Sequence, residues 1–221
     1  MKAIPTTVWA IALLSAGLVA PDCAAQDPAS QNALNRQVRA FLDANRRQWR
    51  DMNVSEVDGQ KLFDLVVENG YTTALELGTS TGHSAIWIAW AMSKTGGTLI
   101  TLEIDERRYN QALENFEAAG LSRYIDARLA DAHELVYEIK GPFDFIFVDA
   151  DKDWYPRYFE ALLPKLTVGG CFTAHNVSDR GRRGMRGMAG FVEALESTPN
   201  LETEFFRAGG GLSVSYKRAS N

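Results

Sequence analysis

Four carboxylates and a histidine-asparagine pair recur at one kind of place in this chain. Each closes a short apolar run: Glu76 in "LELG", Glu103 in "TLITLE", Asp131 just past "IDARLA", Asp149 in "FIFVDADK" and His175-Asn176 in "FTAHN". If those runs are strands of one parallel sheet, the residues meet on one rim, because ligands of such sheets bind beyond the carboxyl ends of the strands. A rim so rich in carboxylate repels a pyrophosphate. It suits a ligand that offers hydroxyls for the acids to accept from and a positive charge for them to face. Glu103, downstream of the glycine turn "GTSTG" (Gly78–Gly82), is placed to accept from two ribose hydroxyls, and Asp131-Ala132 to meet an adenine edge. Ser80 stands in the middle of the turn, where a dinucleotide fingerprint would use a third glycine to bare backbone N–H groups to phosphate.

The elements that must hold these residues follow from periodicity. Strands are expected at Thr73–Leu77, Thr98–Ile104, Ile125–Leu129, Phe143–Asp149 and Cys171–Asn176. Helices fall between them: Ser84–Met92, Glu106–Ala119 stopped by Gly120, Ala132–Ile139, and Trp154–Leu166 with Asp153 as its N-cap and Gly169-Gly170 as its stop. Continuous apolar strands alternating with helices mean a parallel sheet covered on both faces. Upstream, Ala33–Arg50 reads as an amphipathic helix and Asp58–Glu68 as a second one leading into Gly70. Downstream, a helix from about Gly187 to Glu196 precedes "LETEFFRA" and "LSVSYKR", alternating segments joined by Gly209-Gly210-Gly211, a hairpin signal. The fold class is α/β, a doubly wound and mostly parallel sheet closed by an antiparallel pair.

A chain of 221 residues, 46% of them hydrophobic, supplies one such domain and its core. The formal net charge of −5 excludes the basic field that a nucleic-acid binder needs, so the expected partner is a small molecule. Lys2, the run "VWAIALLSAGLVA" and the small-x-small triplet Cys23-Ala24-Ala25 read as a cleavable signal peptide over residues 1–25, the run being shorter than the roughly 20 residues of a spanning helix. Residues 26–52 are then a linker ("QDPASQN") and an N-terminal helix, and 53–221 the functional domain. The expected location is exported, periplasmic or secreted, with no stable membrane span after cleavage. An uncleaved N-terminus acting as a membrane anchor is the alternative. After cleavage Cys171 is the only cysteine left, and the thiols are silent on compartment.

S-adenosylmethionine (SAM) answers the description of the ligand, with an adenine, a ribose, an amino group and a sulfonium. The turn alone is weak evidence, since two glycines can simply shape a turn and acids can simply cap helices. The order of motifs says more. From about Val54 onward the chain resembles the cation-dependent class I O-methyltransferases, the caffeoyl-CoA and catechol group. The matching stretches are "VSEVDGQ", "LELGTSTGHSAIWIA", "TLEIDERRYNQALENFEAAG", "FDFIFVDADKDWY", "LLPKLTVGGCFTAHNV" and "GLSVSYKR", in the family's order. The resemblance implies a Rossmann-like methyltransferase fold with seven strands, a homodimer, and methyl transfer from SAM to a hydroxyl of a small, catechol-like aromatic. It implies cofactor contacts at Val54, Glu76, Gly78, Thr79, Ser84, Glu103 and Ala132, which Asp131 joins, with Asp149 and Asp151 at the methyl end. It also implies a divalent cation held by Asp149, His175 and Asn176, and Lys152 as the base that takes the acceptor's proton beside Asp149.

These residue types suit the reaction. In-line transfer needs donor and acceptor held close and aligned, and a cation or a lysine of lowered pKa makes a phenol nucleophilic near neutral pH. His175 stands where the family has a carboxylate, so the cation is open: Mg²⁺, Mn²⁺ or another metal, a weakly held one, or none. Lys152 has a plain alternative as a solvated lysine in an acidic loop. His83 is expected to pack or to shield the cofactor, His133 to lie at the surface or the adenine edge, and Trp154 and Tyr155 to flank an aromatic acceptor or to pack. "SDRGRRGMRG" (178–187) reads either as a loop that attracts an acidic substrate or as a solvated one. Export conflicts with a cofactor made in the cytosol. A second function therefore stays open, an exported SAM-binding protein of the same fold without methyl transfer.

Overall fold

The computed structural model describes residues 27–50, 52–177 and 188–219. The expected signal peptide and the arginine-rich segment 178–187 lie outside the described residues.

Strands β1 (Thr73–Leu77), β2 (Thr98–Glu103), β3 (Ile125–Leu129), β4 (Phe143–Val148), β5 (Leu166–His175), β6 (Leu201–Phe206) and β7 (Leu212–Lys217) form one sheet in the order β3-β2-β1-β4-β5-β7-β6. The first five run parallel, and β7 lies antiparallel to both β5 and β6. The expected parallel sheet and closing hairpin are both present, and the Gly209–Gly211 turn joins β6 to β7.

Alternation along each strand divides the core in two. Ala74, Leu99, Phe145, Phe147 and Cys171 face one layer, made by α1 (Pro28–Asn45), α2 (Glu56–Asn69), α3 (His83–Thr95) and α4 (Glu106–Ala119). Leu75, Leu77, Ile146, Val148 and Phe172 face the other, made by α5 (Ala132–Glu138), α6 (Tyr155–Leu162) and α7 (Met188–Ser197). Strands buried on both faces must be apolar at consecutive positions, which is why "FIFV" reads as an unbroken run. Each large side chain so buried contributes about 1.5–3 kcal/mol. Helix α3 is buried from His83 through Ser93 and is the central helix of its layer.

Besides shifts of a few residues at other helix ends, such as α1 stopping at Asn45 and not Arg50, three boundaries differ from the sequence pattern for a plain reason. Helix α1 starts at Pro28, inside the stretch expected to be linker, because Asp27 caps it by accepting from Ser30 N (3.4 Å) and Pro28 fits a first helical position. The expected Trp154–Leu166 helix is split. A 3₁₀ turn at Lys152–Trp154 leads into α6, a second at Leu163–Lys165 ends it, and the side chain that caps the entry is Asp151, which accepts from Asp153 N (3.0 Å), not Asp153. Strand β5 starts at Leu166, so Gly169-Gly170 lie inside it, where the pairing with β4 shifts register between Phe143 and Phe145.

The chain winds outward from β1 through β2 to β3, then returns to lay β4 on the other side of β1. That reversal opens a crevice beyond the carboxyl ends of β1 and β4.

Candidate active site

The turn after β1 is built to let two strand ends meet. Gly78 N and Thr79 N both donate to Leu102 O at the end of β2, each at 3.0 Å. Gly78 has φ +95°, and a Cβ there would lie 2.7 Å from the Asp149 carbonyl oxygen, so only glycine lets the ends of β1 and β4 come this close. Ser80, also left-handed at φ +49°, donates its N–H to Glu103 Oε2 (2.6 Å). The other oxygen of Glu103 accepts from Ile104 N (3.1 Å) and Asp105 N (2.9 Å). Three backbone donors therefore fix this carboxylate at the mouth of the turn, where it is 6% exposed.

A cavity of about 600 Å³ opens over the turn. Of the residues expected to act, Gly78, Glu103, Asp131, Ala132, Asp149, Asp151, Lys152, His175 and Asn176 line it. Val54, Glu76, Thr79 and Ser84 stand behind its wall instead. Glu76 is fully buried and accepts from Ser84 Oγ and Thr101 Oγ1, both at 2.5 Å, while Thr79 Oγ1 pairs with Thr101 Oγ1 at 2.5 Å. Burial pushes the Glu76 carboxyl up to about 7, against the pull of the two hydroxyls and with help from Asp149 and Glu103. The Val54 carbonyl pairs with His83 Nδ1 (2.9 Å), and His83 Nε2 accepts from Trp87 Nε1 (3.1 Å). With both ring nitrogens used and Trp49 stacked on it at 4.6 Å, the buried His83 packs; its desolvation lowers its pKa.

Asp131 does double duty as the N-cap of α5, accepting from His133 N (2.8 Å), so the capping alternative is realised alongside its place on the cavity. His133 stacks on Trp154 with centroids 3.7 Å apart and, with Tyr158, gives the cavity an aromatic corner. Tyr155 does not flank an acceptor. It is fully buried, and its hydroxyl lies 3.0 Å from both the Val148 and the His175 carbonyls.

Residues 26–184 match the family described as O-methyltransferase. The chain belongs to that family. Among curated relatives, a catechol O-methyltransferase of Niastella koreensis is 43% identical over 112 residues, 49% of this chain and 50% of that protein. Caffeoyl-CoA O-methyltransferase 1 of Zea mays is 36% identical over 151 residues, 66% of this chain and 56% of that one. These matches span only about half the length of the two relatives. An O-methyltransferase from Bacillus cereus solved in complex with SAH has the same fold, with a TM-score of 0.67 and 26% identity over 86% of this chain and 91% of that chain.

In this family member the three side chains expected to hold a cation do reach one corner of the cavity, but as part of a line of paired charges. Lys152 Nζ donates to Asp149 Oδ1. His175 Nδ1 lies 3.0 Å from Asp149 Oδ2, and its Nε2 lies 3.3 Å from Asp58 Oδ2. Burial by itself would lower His175, but the hydrogen bonds and charges of Asp149 and Asp58 outweigh it and raise the imidazole to about 9. Burial would raise Asp58, yet hydrogen bonds from His175, Gly210 N and Ser55 hold its carboxyl below the ordinary 3.8. Among the described residues no group of three or more His, Cys, Asp or Glu side chains is disposed to hold a metal ion. The donor set Asp149, His175 and Asn176 does not fit a divalent cation: both oxygens of Asp149 and both nitrogens of His175 already face charged partners.

Sequence reasoning passed over Asp58 and Gly210, treating the first as a helix start and the second as a hairpin turn. Asp58 N donates to Ser55 Oγ (3.2 Å) and Ser55 Oγ donates back to Asp58 Oδ2 (2.8 Å), a reciprocal cap that also explains an acid at the third position of α2. Gly210 N donates to the same Oδ2 at 2.7 Å. The one available signal was a Ser-x-x-Asp start followed by Gly59, where a Cβ would collide with Trp87 at 2.3 Å, a mark of a helix end packed too tightly for its acid to reach water.

Proposed function

We propose that this protein transfers a methyl group from SAM to a hydroxyl of a small, catechol-like aromatic. The observation that carries the reading is the placing of Glu103 and the Lys152-Asp149 pair on one cavity, at the ends of β2 and β4 and on either side of the Gly78 turn. The Bacillus cereus relative solved with SAH and the Niastella catechol enzyme support it.

The residues divide the work. Glu103 accepts from the ribose hydroxyls of SAM, for which its three backbone donors hold it in one orientation. Asp131 and Ala132 border the adenine, with Ile104 and Met52, both largely exposed, giving apolar surface for the flat base at the cavity mouth. SAM supplies a methyl group on a positively charged sulfur. Lys152, ion-paired with Asp149 at rest, first gives up its own proton to solvent; its neutral Nζ then receives the hydroxyl proton of the acceptor, and Asp149 stabilises the ammonium that results. The aromatic corner of His133, backed by Trp154, and Tyr158 covers an aromatic acceptor from one side. Holding the two reactants in one site converts a bimolecular encounter into an oriented one, which alone can supply several kcal/mol.

Calorimetry with SAM, followed by transfer of labelled methyl to a panel of catechols, tests the reading; absence of cofactor binding would sink it. Export and a homodimer are parts of the same proposal. The first rests on residues outside the described ones and is checked by fractionation of expressing cells, the second by sedimentation equilibrium. No helix of the described residues is long and apolar enough to cross a membrane.

A further inference from the structure

The charged line at the cavity corner has four members: Lys152, Asp149, His175 and Asp58. Carboxylate oxygens only accept, so a ring nitrogen that faces one must carry a proton to bond it. His175 faces Asp149 Oδ2 at 3.0 Å through Nδ1 and Asp58 Oδ2 at 3.3 Å through Nε2. The form that makes both contacts is the imidazolium, which has no lone pair to give a metal.

Swinging the ring toward the cavity is opposed on two counts. Asp58 is fully buried, and without His175 it would be a buried carboxylate facing only the neutral donors Ser55 and Gly210, a costly arrangement. The Gly210 backbone also presses on the ring from the other side, since a Cβ there would fall 2.3 Å from His175 Nε2. Asp149 is equally committed, with Lys152 on Oδ1 and His175 on Oδ2. Two carboxylates and two cations close the account of charge. A divalent cation on Asp149 would have to displace one of them and then sit against the other.

We infer that this protein dispenses with the divalent cation implied by its resemblance to the caffeoyl-CoA and catechol enzymes: His175, held between Asp149 and Asp58 under the Gly209-Gly210 turn, supplies the positive charge at that corner, and methyl transfer runs without added metal. The catalytic half rests on the methyl-transfer reading; the structural half does not. Substituting an organic cation whose two N–H groups are already committed to carboxylates leaves the acceptor oxygen near a positive charge but without a Lewis acid, so Lys152 carries more of the deprotonation.

The test uses the full chain stripped of metal by chelating resin. Titrated with Mn²⁺ and followed by electron paramagnetic resonance, it is expected to leave the free-ion signal undiminished, and transfer in EDTA is expected to equal that in Mg²⁺ or Mn²⁺. Stoichiometric loss of the Mn²⁺ signal that Asp149→Asn abolishes would overturn the inference. So would a fall in EDTA of about a hundredfold or more, reversed by metal, which is the scale of a lost Lewis acid; either result leaves methyl transfer itself standing. An undiminished Mn²⁺ signal with no transfer under any condition would count for the metal-free corner and against the methyl-transfer reading.

Discussion

Replacing Glu76 by glutamine should change how the stability of this protein depends on pH. The carboxyl is fully buried under the Gly78 turn, and its two oxygens see only the hydroxyls of Ser84 and Thr101. Burial raises it from an ordinary 4.5 to about 7. A tenfold change in an ionisation constant is worth about 1.4 kcal/mol, so the native state favours the protonated form by about 3 kcal/mol more than the unfolded chain does. Between the two values the native protein binds a proton that the unfolded chain has lost, and its stability falls as pH rises. The contribution is whole below 4.5 and gone once the pH has passed about 7. Glutamine keeps the shape and cannot ionise; the hydroxyl it now donates to turns to accept. Urea unfolding of both proteins, followed by tryptophan fluorescence from about pH 4 to about pH 8, should show Glu76→Gln gaining about 3 kcal/mol on the wild type across that range, because groups common to both cancel. A difference that stays flat within about 0.5 kcal/mol would refute the assignment of that titration to Glu76.

Three further outcomes are expected. Lys152→Met should lower kcat by about 10²–10⁴, the usual worth of a positioned proton acceptor, with SAM affinity by calorimetry unchanged; a loss confined to KM would remove Lys152 from the proton path. Glu103→Gln should weaken SAM binding by about ten- to a hundredfold, matching the loss of a charge-assisted hydrogen bond, with circular dichroism confirming that the turn survives. Gly78→Ala should cost at least about 1–3 kcal/mol in chemical denaturation, because it puts a Cβ into a left-handed position and against the β4 backbone.

Much of the fold was legible because its signals are local. Apolar runs such as "FIFVDA", ended by an acid and followed by a helix with a glycine or acidic cap, state the strand, its end and the turn in consecutive residues. The same signals put Glu103, Asp131, Asp149 and Lys152 on one rim. What could not be read depends on partners far away in sequence. Nothing near Glu76 or Ser84 says that Glu76 takes a second hydroxyl from Thr101, far off in sequence, or that both residues are buried out of the cavity lining. Nothing near His175 names Asp58 as its second partner. The start of α1 was missed for another reason: an exposed first turn capped by aspartate and opened by proline has the composition of a linker, and only the backbone hydrogen bonds separate the two.

The bond from Gly210 N to Asp58 joins residues 152 positions apart. Contacts of that reach close late, after nearer elements have paired, because loop closure is paid before the contact repays it. Without β7 and the turn before it, β6 has no strand to pair with, and the corner holding His175 has neither its buried counter-charge fixed nor the turn that lies against the ring. Competence at this corner should therefore appear with the final docking step of folding, well behind the growth of secondary structure, so that a refolding chain would show its full helix signal before it could hold its ligands.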